Sequence, residues 1–316
     1  MPCSPVAFTS GGVRIDIGTN TKEGCVMNPV VGINLPNKTS FGKLDETLRQ
    51  IKGDGFDAVE INIEVFPLII GGEICRDWVE LLKMTLRKHD LIYTAHIGRG
   101  LDLRSLEDHE YHTKVLNASL KICSELNMRV LVLHYEVKSQ NQVAEQQFLE
   151  AHRKAALYAA ELGVMICVEN IEVELIAPVV ELAREVDHPN LRLTLDTGHA
   201  FLAANYYKFD FLQAVEMMVP YLAHVHLTDN TGAFEPLRIT NRAVYDSLPM
   251  GYRREFGRGD IHLPPFYGRI PFKEVFSRIP SAYEGIFVCE YTSEDFGPLN
   301  KKVQEQVRLA IEESRS

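Results

Sequence analysis

From Val30 onward the chain repeats one pattern: a short apolar run rich in β-branched residues, a polar turn, then residues of helical periodicity. Eight such runs occur: VVGINLP (30–36), DAVEINIE (57–64), LIYTAHI (91–97), RVLVLHY (129–135), VMICVEN (164–170), LRLTLDT (191–197), LAHVHLTDN (222–230) and GIFVCEY (285–291). Helical candidates lie between and after them. FGKLDETLRQIKGDG closes on glycine, as helix ends tend to, and ICRDWVELLKMTLRKHD repeats apolar residues at three- and four-residue steps. SLEDHEYHTKVLNASLKICSELN, QVAEQQFLEAHRKAALYAAELG, ELIAPVVELAREV and the final GPLNKKVQEQVRLAIEES behave alike.

Alternating strands and helices, with strands this apolar, predict a parallel sheet covered by helices. Eight units over about 280 residues match a closed (β/α)8 TIM barrel. The competitor is an open doubly wound sheet. That fold usually places a glycine-rich phosphate turn after its first strand, and GINLPNKTSFG is not one. Two segments fall outside the repeat. Residues 1–29, rich in Gly, Ser, Thr and Asn, read as an N-terminal extension, either a disordered arm or a small hairpin at the barrel bottom. Residues 231–269 form a long loop after the seventh strand of an otherwise single domain, 30–316. Such a loop belongs on the C-terminal face, where barrel chemistry is done.

Composition sets bounds on the partners. Apolar residues make up 46% and charged residues 24%, the balance of a soluble globular protein. A net charge of −10 argues against a surface built to hold nucleic acid. The six cysteines are scattered with no C-x-x-C pair, which predicts reduced thiols and a cytoplasmic location. No apolar run approaches the ~18 residues of a membrane span, and the first residues lack a secretory pattern.

In a closed barrel the C-terminal strand ends converge on one mouth. Glu60 and Glu64 come from the second run, His96 from the third, His134 from the fourth and Glu169 from the fifth. The sixth brings Asp196, with His199 just beyond, the seventh His226 and Asp229, and the eighth Glu290. Taken singly, each has an ordinary structural reading. A strand-end histidine is often just hydrogen-bonded, and a carboxylate there often caps the next helix, which suits Glu64 and Asp229. Together these readings fail, because carboxylates crowded into one mouth repel and cannot all ionise. A divalent cation removes that conflict. Glu169, Asp196 and Glu290 with His226 make a hard, oxygen-rich set that favours Mn²⁺, Mg²⁺ or Co²⁺ over a thiolate-type zinc site.

VEN, LDTGHA, HVHLTDN, GDIHLPP and FVCEY, in this order, resemble the xylose isomerase-like TIM-barrel superfamily over roughly residues 30–316. That superfamily includes sugar isomerases, ketose 3-epimerases, inosose dehydratases and endonuclease IV. The resemblance implies one divalent ion, Mn²⁺ first with Mg²⁺, Co²⁺ or Zn²⁺ as alternatives, on Glu169, Asp196, His226 and Glu290. Glu169 and Glu290 would double as acid and base. His199, His96, His134, Asp260, His262 and Glu60 are the expected substrate contacts. The implied activity is isomerisation or epimerisation of a small sugar or polyol, with a lyase or dehydratase acting on a keto-sugar, inosose or 3-keto-glycoside as an alternative. A homo-oligomer is an allowed state.

Endonuclease IV offers a different implication, since it binds three zinc ions. Its extra ligands correspond to His96, His134, His199, Asp260 and His262, and all five positions are filled. TAHIGRGLDL, LVLHYEV and DTGHAFLAANYYKFD resemble its segments. The chain departs from ketose epimerases in three places. Leu175 stands where they carry a second glutamate, Phe266 stands where the family's glycine follows LPP, and HLTDNTG leads into a long insertion instead of a nearby arginine.

Overall fold

The computed structural model describes residues 28–98 and 100–315, so all of the expected N-terminal extension up to residue 27 lies outside the described residues. Eight parallel strands close into a barrel: β1 Val30–Asn34, β2 Ala58–Asn62, β3 Ile92–Ile97, β4 Val130–His134, β5 Met165–Glu169, β6 Leu191–Asp196, β7 Leu222–Leu227 and β8 Ile286–Cys289. Each pairs with its sequence neighbours, and β8 closes on β1. The (β/α)8 architecture expected from the sequence is the one observed.

Strand alternation sorts each strand's residues into two sets. Outward residues such as Val31, Ile33, Val59, Leu131, Leu193 and Phe287 join the large core beneath the helices. Inward residues stack in levels. Ala58, Ile286 and Val288 pack together, as do Val130, Val132, Met165, Cys167 and Ala223, filling the lower barrel with apolar atoms. Two residues further along, the same inward sets deliver polar groups.

Register then decides which polar groups meet. Asn62 lies beside His96, His134 beside Glu169 and Asp196 beside His226. The last pairing depends on a shift between Leu193 and Thr194. Continued from Leu193 opposite Leu222, the unshifted register would set Asp196 against Val225, whose side chain faces the other side of the sheet. One extra residue on β7 brings His226 level with Asp196 instead.

The outer layer departs from strict alternation. After β2 a small antiparallel hairpin, Ile69–Ile70 with Glu73–Ile74, precedes the helix Arg76–Leu86. Two helices follow β6, Thr197–Tyr207 and Phe211–Met218. The loop after β7 carries three short helices, Leu237–Thr240, Arg242–Ser247 and Met250–Phe256, before the helix Phe272–Arg278. The longest helix, Gln142–Leu162, shows how the sequence fixes its ends. Asn141 accepts the N–H groups of Val143 and Ala144, and Gly163 supplies the left-handed stop at φ 66°. No helix among the described residues is long and apolar enough to cross a membrane.

Candidate metal centre

The β6 strand ends on Asp196, whose Oδ1 accepts the His199 N–H at 2.6 Å and so caps the helix Thr197–Tyr207. Its Oδ2 accepts the Thr228 hydroxyl at 3.1 Å. Asn170, just past β5, clamps this corner. Its side chain donates to the Asp196 carbonyl and accepts the Asp196 N–H, while its own carbonyl lies 3.0 Å from His199 Nδ1. The capping reading and the ligand reading of Asp196 are therefore compatible, since each carboxylate oxygen keeps a free lone pair.

Glu169, Asp196, His226 and Glu290 offer ligand atoms all within 4.8 Å of one another. His226 Nδ1 stands 3.1 Å from Glu290 Oε2 and 3.3 Å from Glu169 Oε1. Both Glu169 oxygens and Glu290 Oε2 are buried without a hydrogen-bond partner. Buried carboxylate oxygens left in that condition are costly, and a divalent cation is the group that would satisfy them. The donor set fits such an ion.

The electrostatics agree. Burial pushes the Asp196 carboxyl up to about 7, with Glu169 and Glu290 adding repulsion and His199 opposing it. Burial also pushes Glu169 upward, but the His226 and His134 imidazoles outweigh it and hold the carboxyl well below the usual range. Burial draws the His134 imidazole down to about 4. One carboxylate is driven toward its neutral form so that another can ionise, which is the conflict read from the sequence.

Two further groups flank this cluster. His96, His134 and Glu169 form a second set able to hold an ion, with His96 Nε2 3.1 Å from His134 Nε2 and 3.3 Å from Glu169 Oε2. On the other side, Asp260 Oδ2 lies 2.8 Å from His262 Nε2 and 3.6 Å from His199 Nε2. Burial lowers His262, but Asp260 beside it wins and raises the imidazole to about 9. The ten residues expected at the metal or the substrate gather at or below the mouth, which opens into a cavity of about 800 Å³.

Glu60 is placed differently from its expected role at the substrate. It lies one level beneath the cluster, 2% exposed, with Oε1 2.9 Å from His226 Nε2 and Oε2 2.9 Å from His224 Nε2. Thr94 donates to the same Oε2 at 3.0 Å. Both Glu60 oxygens thus face partners inside the barrel, and Glu60 does not line the mouth cavity. Asp229 likewise caps no helix. It accepts the N–H groups of Asn230, Gly268 and Ile270, tying both ends of the long loop together. Glu64 lies in the one-turn helix Ile63–Val65 and lines the mouth cavity.

Several residues were not singled out from the sequence. His224 lies two residues before His226, and the same alternation turns it inward. Glu172, three residues past β5, is buried and paired with Arg238 of the long loop. Tyr245, 1% exposed, forms the loop's internal anchor. No short-range pattern marks the last two, because their partners lie in other segments.

Residues 48–313 match the model of the xylose isomerase-like TIM barrel, and the chain belongs to that family. No curated protein matches the sequence. Solved structures share the fold. A D-tagatose 3-epimerase-like protein superposes with a TM-score of 0.66 at 18% identity, over 92% of this chain and 100% of its own. The 3-keto-D-glucoside 4-epimerase of E. coli gives 0.64 at 17%, over 89% and 99%. A xylose isomerase-like TIM-barrel protein from Mycobacterium smegmatis, in complex with magnesium, gives 0.66 at 14%, over 92% and 98%.

Proposed function

We propose that this protein is a divalent-metal-dependent enzyme that moves a proton beside the carbonyl of a chelated sugar or polyol, as an isomerase or epimerase. The observation that carries this reading is the meeting of Glu169, Asp196, His226 and Glu290 around buried, unpartnered carboxylate oxygens at the floor of an open mouth. These four residues would hold the ion. Three carboxylates and one imidazole favour Mn²⁺, with Mg²⁺, Co²⁺ or Zn²⁺ as alternatives. When bound, the ion supplies Lewis-acid polarisation of a carbonyl, which acidifies the neighbouring C–H. Glu169 and Glu290 would take and return that proton. His199, steadied at Nδ1 by the Asn170 carbonyl, would turn Nε2 to a substrate oxygen. A lyase on a keto-sugar would share the proton removal and differ in what leaves next. The 3-keto-D-glucoside 4-epimerase named above acts on a sugar derivative, which agrees with this class.

A second reading rests on a specific observation: the two flanking groups complete the ligand positions of a three-ion site of the endonuclease IV kind. His96 and His134 would share Glu169 with a second ion, and His199, Asp260 and His262 would take a third. The reaction would then be hydrolysis of a phosphodiester.

One experiment addresses both. The protein is assayed with Mn²⁺ in deuterated water on ketoses, inososes and 3-keto-glycosides, alongside an abasic-site duplex. Deuterium on the carbon adjacent to the carbonyl is the expected result. Cleavage of the duplex with no turnover of any sugar would overturn the proposal in favour of the second reading.

A further inference from the structure

Below the mouth the barrel interior encloses a polar knot. Glu60, Thr94 and His224 sit there at 2%, 1% and 0% exposure, beneath the equally buried His226. A carboxylate this deep demands compensation, and three neighbours supply it. Thr94 donates to Oε2, His224 Nε2 approaches Oε2, and His226 Nε2 approaches Oε1. His226 is thus held between two levels of carboxylate. Its Nε2 faces Glu60 below, and its Nδ1 faces Glu169 and Glu290 above.

We infer that Glu60 is a positioning residue that sets which nitrogen of His226 is offered to the metal. With the Glu60 carboxylate against Nε2, the proton of the neutral ring resides on Nε2. The Nδ1 lone pair is then free and aimed at the cluster. Carboxylate partners of ligand histidines fix ring orientation and raise ligand basicity in this manner. Thr94 and His224 in turn orient Glu60, since the two occupy its other oxygen. This rests on the proposed metal site, and it assigns to Glu60 a task distinct from substrate contact.

Glu60, His224 and His226 also lie close enough to bind an ion themselves. The contact of Glu60 Oε2 with both His224 and the Thr94 hydroxyl favours the hydrogen-bonded arrangement, because it spends that oxygen on donors. The test separates the two.

Ion content and affinity for Mn²⁺ or Co²⁺ are measured by chelator competition for the wild-type chain and for Glu60→Gln. The variant should keep the wild-type ion count while affinity falls about 10- to 100-fold, the usual cost of removing such a partner. The visible bands of the Co²⁺-loaded protein should shift, which a purely structural role for Glu60 would not cause. Thr94→Val, which leaves the charge in place, should weaken binding in the same direction by a smaller factor and serves if Glu60→Gln does not fold. Unchanged affinity in both variants overturns the inference alone. Loss of one whole ion, with the remainder bound as in wild type, overturns it by making Glu60 a direct ligand. A wild-type chain that binds no divalent ion overturns the proposed function along with it.

Discussion

The Tyr245 hydroxyl accepts the backbone N–H of Asp260 at 3.2 Å and an Arg253 N–H at 2.9 Å, all within the long loop after β7. The loop is therefore a small folded unit with its own buried tyrosine, and that tyrosine fixes the backbone of a residue facing His199 and His262. The Arg238–Glu172 pair fastens the same unit to the segment after β5.

Tyr245→Phe should leave the ring in place and strand the Asp260 N–H, while Arg253 keeps its bond to the Asp260 carbonyl. Leaving a buried donor unsatisfied costs about 1–3 kcal/mol. Hydrogen exchange should show faster exchange at the Asp260 amide with barrel strands unaffected. Equal protection in variant and wild type would refute the anchoring role.

Metal addition should stabilise the fold. The unpartnered oxygens of Glu169 and Glu290 and the raised Asp196 carboxyl mark repulsion that a cation relieves. At a hundredfold excess over Kd a ligand specific to the native state adds about 2.7 kcal/mol. For a chain of this size that raises Tm by about 4 °C. Glu169→Gln should abolish most of the shift. A wild-type Tm indifferent to Mn²⁺, Mg²⁺, Co²⁺ and Zn²⁺ would exclude the site.

The barrel and the upper level of the site were legible because both follow from alternation. Once eight apolar runs imply a closed barrel, the last inward residue of each must face the mouth. Depth was less legible. Glu60 was recognised as inward, yet its place one level down depends on the partners His224 and Thr94 across the barrel. The shift between Leu193 and Thr194 leaves no mark in composition, and without it Asp196 would not meet His226. Arg238 and Tyr245 sit in a segment with no period, so their roles appear only when the loop's tertiary contacts are seen.

The neck of the long loop makes a paired prediction. Gly268 donates its N–H to Asp229, and a β-carbon on it would collide with the Asn230 carbonyl and the Asp229 carboxylate. Gly268→Ala should destabilise by at least about 2 kcal/mol, because backbone has to move to admit the methyl group. Phe266 differs. It adopts φ 71°, a conformation that costs a side-chain-bearing residue roughly 1–2 kcal/mol, while its ring packs on Phe272 at 5.1 Å. Phe266→Gly relieves the first and loses the second, so its stability should stay within about 1 kcal/mol of wild type. Denaturant titration of the two variants checks the contrast, and equal losses would refute it.

His152 predicts how acid acts on the fold away from the mouth. It lies within the helix Gln142–Leu162, 1% exposed, with Nδ1 2.8 Å from the Phe148 carbonyl and its ring 4.2 Å from the Phe148 ring. Burial lowers its pKa to about 4, the Phe148 carbonyl opposing and Arg104 nearby assisting. A free histidine titrates near 6.5, so between about pH 6.5 and 4 the unfolded chain binds a proton that the folded chain refuses. Stability must therefore rise with pH across this window. The contribution is fully present above the unfolded pKa and is lost as pH falls through the window toward the folded pKa. A difference of about 2.5 units corresponds to roughly 3 kcal/mol. His152→Gln removes the titrating group while keeping a side-chain N–H for the Phe148 carbonyl. Unfolding free energies of both proteins, measured from pH 7 down to 4, should converge on the acid side, the wild type losing about 3 kcal/mol more than the variant. Parallel curves would show that His152 takes up its proton in the folded state as readily as in the unfolded one.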